Sequence, residues 1–569
     1  MKTFNIKIGG EAGQGLVSIG NILLRAAAKK GWHLFAHQDY ESRIRGGHNF
    51  FQIRLAGQPV FSWEKGIDLA VALDKTTVDL SAEELKADGF LIYNPELFKE
   101  EKPESENSIA LPYVQIVEDL GEPKIMANAV AAGAVWAFLS ADFSILEAAL
   151  ADMFSRYGAE IVAGNQKVAL AGFERVRQVI STGAELEVPS GRGPRLLLKG
   201  NDALPLGALA AGLKFMSAYP MTPATGVTEF IARFGREAGV IMEQAEDEIS
   251  AVNMALGAAY AGVRSMTATS GGGFALMTEA LSLAGSAEVP LVVINAQRPG
   301  PSTGLPTRTE QGDLSFAAAM SFGDFPRAIL APGDLEEAFY LMGHAFNLAE
   351  EYQMPVVVLS DQHLADSYST AAPFDLSKVE IKRGLVVSEQ DIYQRYKFTE
   401  DGISPRMYPG FGRGVVVSAG DEHGEDGHLI EDGEIRKRMM DKRMAKQKTV
   451  EKKALEPVLW GDSKPEAVLI GFGSAKGALQ EAAGVLKRDG CKAAAVHLPQ
   501  VFPLPSGLEE ILNGPGSKFV VESNYSGQLE ALIAARFAWK PEGSIRRYDG
   551  RPLNAEYVLA KLEGGVSCG

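Results

Sequence analysis

Three apolar runs, RSMTATS at 264–270, PLVVINA at 290–296 and MPVVVLS at 354–360, constrain this chain more than anything else in it. Each has the length of a strand, and Ala-rich helical stretches separate them. Strands that are apolar on both faces belong to a parallel sheet with helices packed on either side. The middle of the chain therefore reads as α/β. Ligands of open α/β sheets bind beyond the carboxyl ends of the strands, so the Gly- and Pro-rich loops that follow these runs are the first places to look for chemistry.

The same rhythm appears on both flanks. FNIKIGG, FFQIRL, DLAVAL and GFLIYN alternate with helical segments up to about Gln178, and AVLIGFGS, CKAAAVHL and KFVVESN do so near the end. A Pro/Gly/Arg stretch, VPSGRGPR, interrupts the pattern at 188–195. With 569 residues, of which 46% are apolar and 22% charged, the chain is too long for one core. We expect an α/β domain at 1–187, a parallel-sheet domain at 196–385, a charged connector at 386–460 and a smaller α/β domain at 461–569. The connector's IRKRMMDKRMAKQKTVEKK run predicts a helix that is solvated or faces another subunit.

A formal charge of −16 argues against general affinity for nucleic acid or an anionic membrane. No apolar run has spanning length, and the N-terminus lacks the apolar stretch of a signal peptide, so a cytoplasmic setting is expected. Cys491 and Cys568 are too few for a disulfide framework or for a cluster held by four cysteines of this chain.

Several loops have the composition of binding sites. GGEAGQG, at 9–15, follows a strand and opens a helix, where backbone N–H groups and the helix dipole favour an anion. Its glycines do not fall as G-x-G-x-x-G, and Leu16 stands where a P-loop needs lysine, so a purely structural turn is equally consistent. In SRIRGGHNF, Arg43 and Arg45 precede a glycine pair with the geometry of a phosphate fork, although turn arginines are commonly just surface residues. His33, His37 and His48 are joined by no carboxylate or cysteine at a recognised spacing, so no metal is expected. DEHGEDGH, at 421–428, mixes carboxylates and imidazoles without a defined ligand geometry and reads as solvated connector.

The middle domain is richer. In SAYPMTPAT two prolines freeze the backbone around Thr222, so that its hydroxyl is presented rigidly. EQAEDEISAVNMALGAAYAG leads an acidic cluster into a small-residue helix; taken alone, Glu248 is more often a dipole partner than a functional group. TATSGGGFALM and QRPGPSTGLPTRTEQGDL follow the next two strands, and the second carries Arg298 and Arg308 among rigidifying residues, a setting for binding a carboxylate.

Together YPMTPAT, the EDEISAVNMALGAAYAG helix, TSGGGFALM and GPSTGLPTRTEQGDL resemble the alpha subunit of the 2-oxoacid:ferredoxin oxidoreductases. GGEAGQG and SRIRGGHNF resemble the family's gamma subunit, so the chain looks like a gamma–alpha fusion, most like the 2-oxoglutarate branch. The connector and the late VVESNYSGQL are also similar to this family. The resemblance implies a pyrimidine-binding thiamine diphosphate domain and a transketolase-type C-terminal domain with a structural role. It also implies that Glu248 bonds the cofactor's aminopyrimidine ring and favours the tautomer that deprotonates the thiazolium carbon, with Tyr219 and Pro220 beside it. Thr222, with Arg308 as first choice and Arg298 as second, would hold the substrate carboxylate. Gly13, Gln14, Gly15, Arg43 and Arg45 would help bind coenzyme A.

No GDG motif with following asparagines is present, so magnesium and a [4Fe-4S] cluster are expected on a beta subunit, in an (alpha–beta)2 assembly that reduces ferredoxin. Pyruvate and branched 2-oxoacids share the reacting groups and are alternative substrates. A catalytically silent coenzyme-binding regulator and a self-contained thiamine decarboxylase are the rival readings.

Overall fold

The computed structural model describes residues 2–42, 46–98, 107–180, 183–184, 186–187, 195–388 and 393–562. The chain forms two compact units: one comprises Met1–Leu198 with Ser367–Pro373, the other Lys199–Asp366 with Phe374–Gly569.

The first unit is built on an eight-stranded mixed sheet. At its centre Thr3–Ala12 pairs antiparallel with Gly46–Ala56, Ile8 facing Phe51, and parallel with Ile67–Ala72, Ile6 facing Leu69. Ile6, Ile8, Phe51 and Ile53 are fully buried under the helices Leu16–Lys30 and Ala127–Phe138. Ala127–Phe138 and Ala159–Arg177 approach each other at a reciprocal pair of glycines. A Cβ on Gly133 would meet the Ala169 carbonyl oxygen at 1.9 Å, and one on Gly172 would meet that of Val130 at 2.1 Å. Only glycine permits that separation.

In the second unit the three apolar runs form adjacent strands. The seven-stranded sheet runs Gln500–Phe502, Ala328–Leu330, Pro355–Asp361, Leu291–Gln297, Ser265–Thr269, Phe215–Ala218, Ile241–Gln244, and every pairing except that of the first strand is parallel. Every residue of Ser265–Thr269, Leu291–Gln297 and Pro355–Asp361 is buried, which is why these strands read as unbroken apolar runs. Because neighbouring strands point the same way, the loops that follow them leave from one edge.

A five-stranded sheet of Val458–Gly461, Ala493–Leu498, Ala467–Phe472, Ser517–Glu522 and Gly543–Arg546 completes this unit. One apolar cluster runs through both sheets, from Val252 and Phe274 to Ile470 and Ile533.

The basic helix, Gly433–Lys452, expected to be solvated or to face another subunit, is not simply solvated: Met439, Lys442, Arg443, Lys446 and Val450 are buried within this chain. Their counter-charge comes from far away in sequence. The fully buried Glu288 accepts from Lys442 Nζ at 2.6 Å and Lys446 Nζ at 2.7 Å, and those ammonium groups hold its carboxyl well below the usual range against the pull of burial. Glu422 pairs with Arg443 at 2.8 Å and His423 is wholly buried against Tyr396, so the head of the DEHGEDGH run is packed as well.

Candidate active site

Four neighbouring strands each send one element of the site past the same edge of the sheet. Phe215–Ala218 is followed by the turn that carries Tyr219, Pro220 and Thr222, in which the Thr222–Pro223 peptide is cis. Tyr219 is exposed, whereas Pro223 and Ala224 are buried and anchor the turn. Asn201 Nδ2 fixes it from below by donating to the Pro223 carbonyl at 2.8 Å.

After Ile241–Gln244, Asp247 caps the helix Glu248–Tyr260, its carboxylate accepting from Ser250 N at 2.7 Å. Asp247 thus takes the capping work and leaves Glu248, the first helical residue, for another purpose. Glu248 is only 5% exposed, yet no described residue donates to its carboxylate or pairs with it. Its carboxylate is thus a free acceptor on an otherwise packed side chain, open to a ligand's donor.

What faces Glu248 is backbone. The helix Gly271–Leu276 begins directly after Ser265–Thr269, and a Cβ on Gly273 would stand 2.6 Å from Glu248 Cγ and Oε1 and 2.1 Å from Thr269 Oγ1. Gly272 lies over Met221, whose Cε would be 3.5 Å from an added Cβ. Gly273 therefore lets this helix close down on Glu248, and Gly271 lets it close down on Asp313.

Leu291–Gln297 leads into the fourth element. Arg298 Nη1 donates to the Thr222 carbonyl at 2.7 Å, so this arginine joins two of the loops. Its charge is faced by Asp313, which is also bonded by Asn295 Nδ2 at 3.2 Å and lies 2.6 Å from where a Gly271 Cβ would be. Burial pushes the Asp313 carboxyl up to about 6, with Asn295 and Arg298 opposing it. Burial and the neighbouring Asp313 charge push Glu310 up to about 7. Arg308 lies further along the same loop, its N–H donating to Leu305 O at 3.1 Å and its stem close to Gly550. The structure thus brings Thr222, Glu248 and Arg298 together, with Arg298 in contact with the Thr222 turn.

In the first unit, Gly15 adopts a left-handed conformation at the start of Leu16–Lys30, as does Gly13 two residues earlier. Gln14 folds back, its Oε1 accepting from Glu11 N at 2.8 Å. Gly13 and Gly15 line a cavity of about 440 Å³ with Asp39, Tyr40, Asn49 and Phe50. Arg43 and Arg45 lie outside the described residues.

Residues 206–442 match the thiamine-diphosphate-binding family of pyruvate flavodoxin/ferredoxin oxidoreductases, and residues 5–175 match the pyruvate ferredoxin/flavodoxin oxidoreductase family. The 2-oxoacid:ferredoxin oxidoreductase subunit alpha of a Sulfolobus species is 33% identical over 96% of this chain and 94% of its own length. The chain belongs to the 2-oxoacid:ferredoxin oxidoreductase family. The 2-oxoglutarate synthase subunit KorA of Methanothermobacter thermautotrophicus is 34% identical over 58% of this oxidoreductase chain and 88% of its own. A solved structure, the 2-oxoglutarate:ferredoxin oxidoreductase of Magnetococcus marinus with 2-oxoglutarate, coenzyme A and succinyl-CoA bound, superposes with a TM-score of 0.93 at 31% identity, covering all of both chains.

Such relatives are named as alpha subunits, and this chain contains the thiamine-diphosphate-binding domain. Sequence reasoning about the oxidoreductase missed Asp313, Glu310 and Asn295. The TEQGDL segment that holds two of them is a loop whose acidic residues look like solvated turn chemistry until Gly271 and Arg298 are seen beside them.

Proposed function

We propose that this alpha subunit acts on 2-oxoglutarate, which with coenzyme A gives succinyl-CoA, carbon dioxide, one proton and two electrons that pass singly to ferredoxin, in a reversible reaction. The reading is carried by the convergence at one sheet edge of the unpartnered Glu248 carboxylate, the Thr222 turn and Arg298. The substrate assignment rests on the likeness, over the whole chain, to an enzyme that holds 2-oxoglutarate.

The residues present fit thiamine diphosphate, because Glu248 offers a carboxylate that no described residue bonds and Gly273 leaves open the face beside it. When bound, the cofactor supplies a nucleophilic thiazolium carbon and takes up the electrons left by decarboxylation. Glu248 presents its carboxylate to the pyrimidine nitrogen and holds the proton there, with Tyr219 and Pro220 on the turn alongside. Thr222 offers its hydroxyl to the substrate carboxylate, and Arg298 and Arg308 supply positive charge, the planar guanidinium suiting a carboxylate's two oxygens. Gly13 and Gly15, which line the cavity of the first unit, bind coenzyme A together with Gln14, and Arg43 and Arg45, outside the described residues, belong to the same proposal. A beta subunit brings magnesium and the [4Fe-4S] cluster, two such pairs assemble, and the enzyme works in the cytoplasm. Domains at 1–187, 196–385, 386–460 and 461–569 remain our division of the chain.

The test is reduction of an oxidised viologen by the chain purified with its cluster-bearing partner. 2-Oxoglutarate, pyruvate and 2-oxoisovalerate are each supplied with and without coenzyme A. Coenzyme-dependent reduction strongest with 2-oxoglutarate is expected. Preference for another acid replaces the substrate, and no reduction from a loaded complex refutes the reading.

A further inference from the structure

The ESNYSGQ segment, at 522–528, lies at the end of a strand of the smaller sheet and is absorbed by none of the roles above. Its first residue is fully buried. Glu522 Oε2 accepts from Asn524 Nδ2 at 2.6 Å and Leu529 N at 2.9 Å, and Oε1 accepts from Glu530 N at 3.2 Å. Asn524 Oδ1 accepts from Gly527 N at 2.8 Å. The start of the helix Gln528–Phe537 is therefore saturated by the segment's own side chains, which makes it a rigid fitting and leaves no N–H groups for an anion.

Further donors and acceptors of the segment and Gln528 point at one stretch of the loop that carries Arg298 and Arg308. Gln528 bridges it: Nε2 donates to Gly312 O at 2.7 Å, and Oε1 accepts from Ser315 N at 2.9 Å. Asn524 Nδ2 donates to Gln311 O at 3.1 Å. Gln311 N donates to Ser523 O at 2.6 Å, and Ser523 N donates back to Gln311 Oε1 at 3.0 Å. Gln311 Nε2 reaches the Phe472 carbonyl at 2.9 Å. Between the two atoms that Gln528 grips stands Asp313, the residue that faces Arg298, Asn295 and Gly271.

We infer that Gln528 and the ESNYSGQ segment are positioning elements for oxoacid binding, locking residues 311–315 so that Asp313 holds Arg298 in register with the Thr222 turn. The inference rests on the proposed role of Arg298 and gives the C-terminal sheet a part in substrate affinity beyond support. Gln528 touches neither Glu248 nor the Gly273 face, so it governs how the oxoacid is held and leaves the cofactor's grip alone.

The test uses the complete complex with Gln528→Met, which keeps the side chain's bulk and removes both bonds. The KM is taken for whichever 2-oxoacid the wild-type complex prefers, so a wrong substrate assignment leaves the comparison intact. We expect KM to rise about tenfold, as for two hydrogen bonds of modest net worth, while kcat and thiamine diphosphate affinity stay within about twofold. Amide exchange of the 305–315 segment should accelerate, a readout that needs no turnover. Gln528→Glu, which retains an acceptor for Ser315 N–H, should fall between the two. Unchanged KM, or unchanged exchange in that segment, overturns the inference. So does a joint fall of KM performance, cofactor affinity and thermal midpoint, which would mark Gln528 as general scaffolding.

Discussion

Replacing Gly273 by alanine tests the site at its tightest point. The added Cβ would lie 2.6 Å from Glu248 Oε1 against an ordinary contact distance of 3.4 Å, so the carboxylate must retreat by about 0.8 Å or the helix must lift. Thr269 Oγ1, at 2.1 Å, is a still harder clash, and it blocks escape on the other side. A misplacement of about 1 Å in a reacting array costs on the order of a hundredfold, so turnover of the assembled complex should fall by roughly that factor. Thiamine diphosphate affinity should weaken with it, and overpacking should cost stability about 1–3 kcal/mol. Gly272→Ala is the matched control. It makes the same change one residue earlier in the helix, removes the same backbone freedom, and meets only Met221 Cε at 3.5 Å. Viologen reduction and calorimetric cofactor titration on both variants decide the matter. If Gly273→Ala keeps wild-type turnover and affinity, or if Gly272→Ala is impaired equally, the contact between Glu248 and Gly273 is not what shapes the site.

Glu248→Gln keeps the size of the side chain and loses the charge, and should lower turnover by at least about a hundredfold while the thermal midpoint holds, as read by the same assay and a melt. The Asp313 charge holds Arg298 beside the Thr222 turn. As pH falls through about 6 the Asp313 carboxyl takes up a proton, that hold is lost and KM rises, whereas above 6 the hold is present in full. A KM–pH profile of Asp313→Asn should lack that limb, a difference on the order of tenfold at pH 8; retention of the limb would refute the pairing. Glu288→Gln leaves Lys442 and Lys446 buried without their counter-charge and should cost about 3–5 kcal/mol in denaturant unfolding. Because the folded Glu288 carboxyl is held low, its stabilisation is present above the ordinary glutamate range and fades as pH falls, so the gap between variant and wild type should close in acid.

The strand edge and its loops were legible because glycine and proline announce where parallel strands end. SGGG and the Pro-rich loop after Gln297 each follow a run whose residues are all buried, and YPMTP follows one buried in all but its first residue. Their convergence was legible only through the family resemblance, since period and composition carry no strand order. The polar fittings were not legible at all. Gln528 reads the backbone of Gly312 across 216 positions, and Asn524 reads that of Gln311 across 213. Such contacts leave no local pattern. The basic helix misled for a related reason: a run of lysines ordinarily faces water, and nothing nearby shows that Glu288 lies 154 residues before Lys442 and is buried against it.

That Gln528 and Asn524 bind main-chain atoms of the 311–315 stretch bears on how this enzyme class diversifies. Side chains on the loop, such as those of Leu305 and Glu310, are exchangeable without disturbing the fittings that hold its course. Substrate range is then open to change by single substitutions, while the bonds that keep the loop on target involve a different set of atoms.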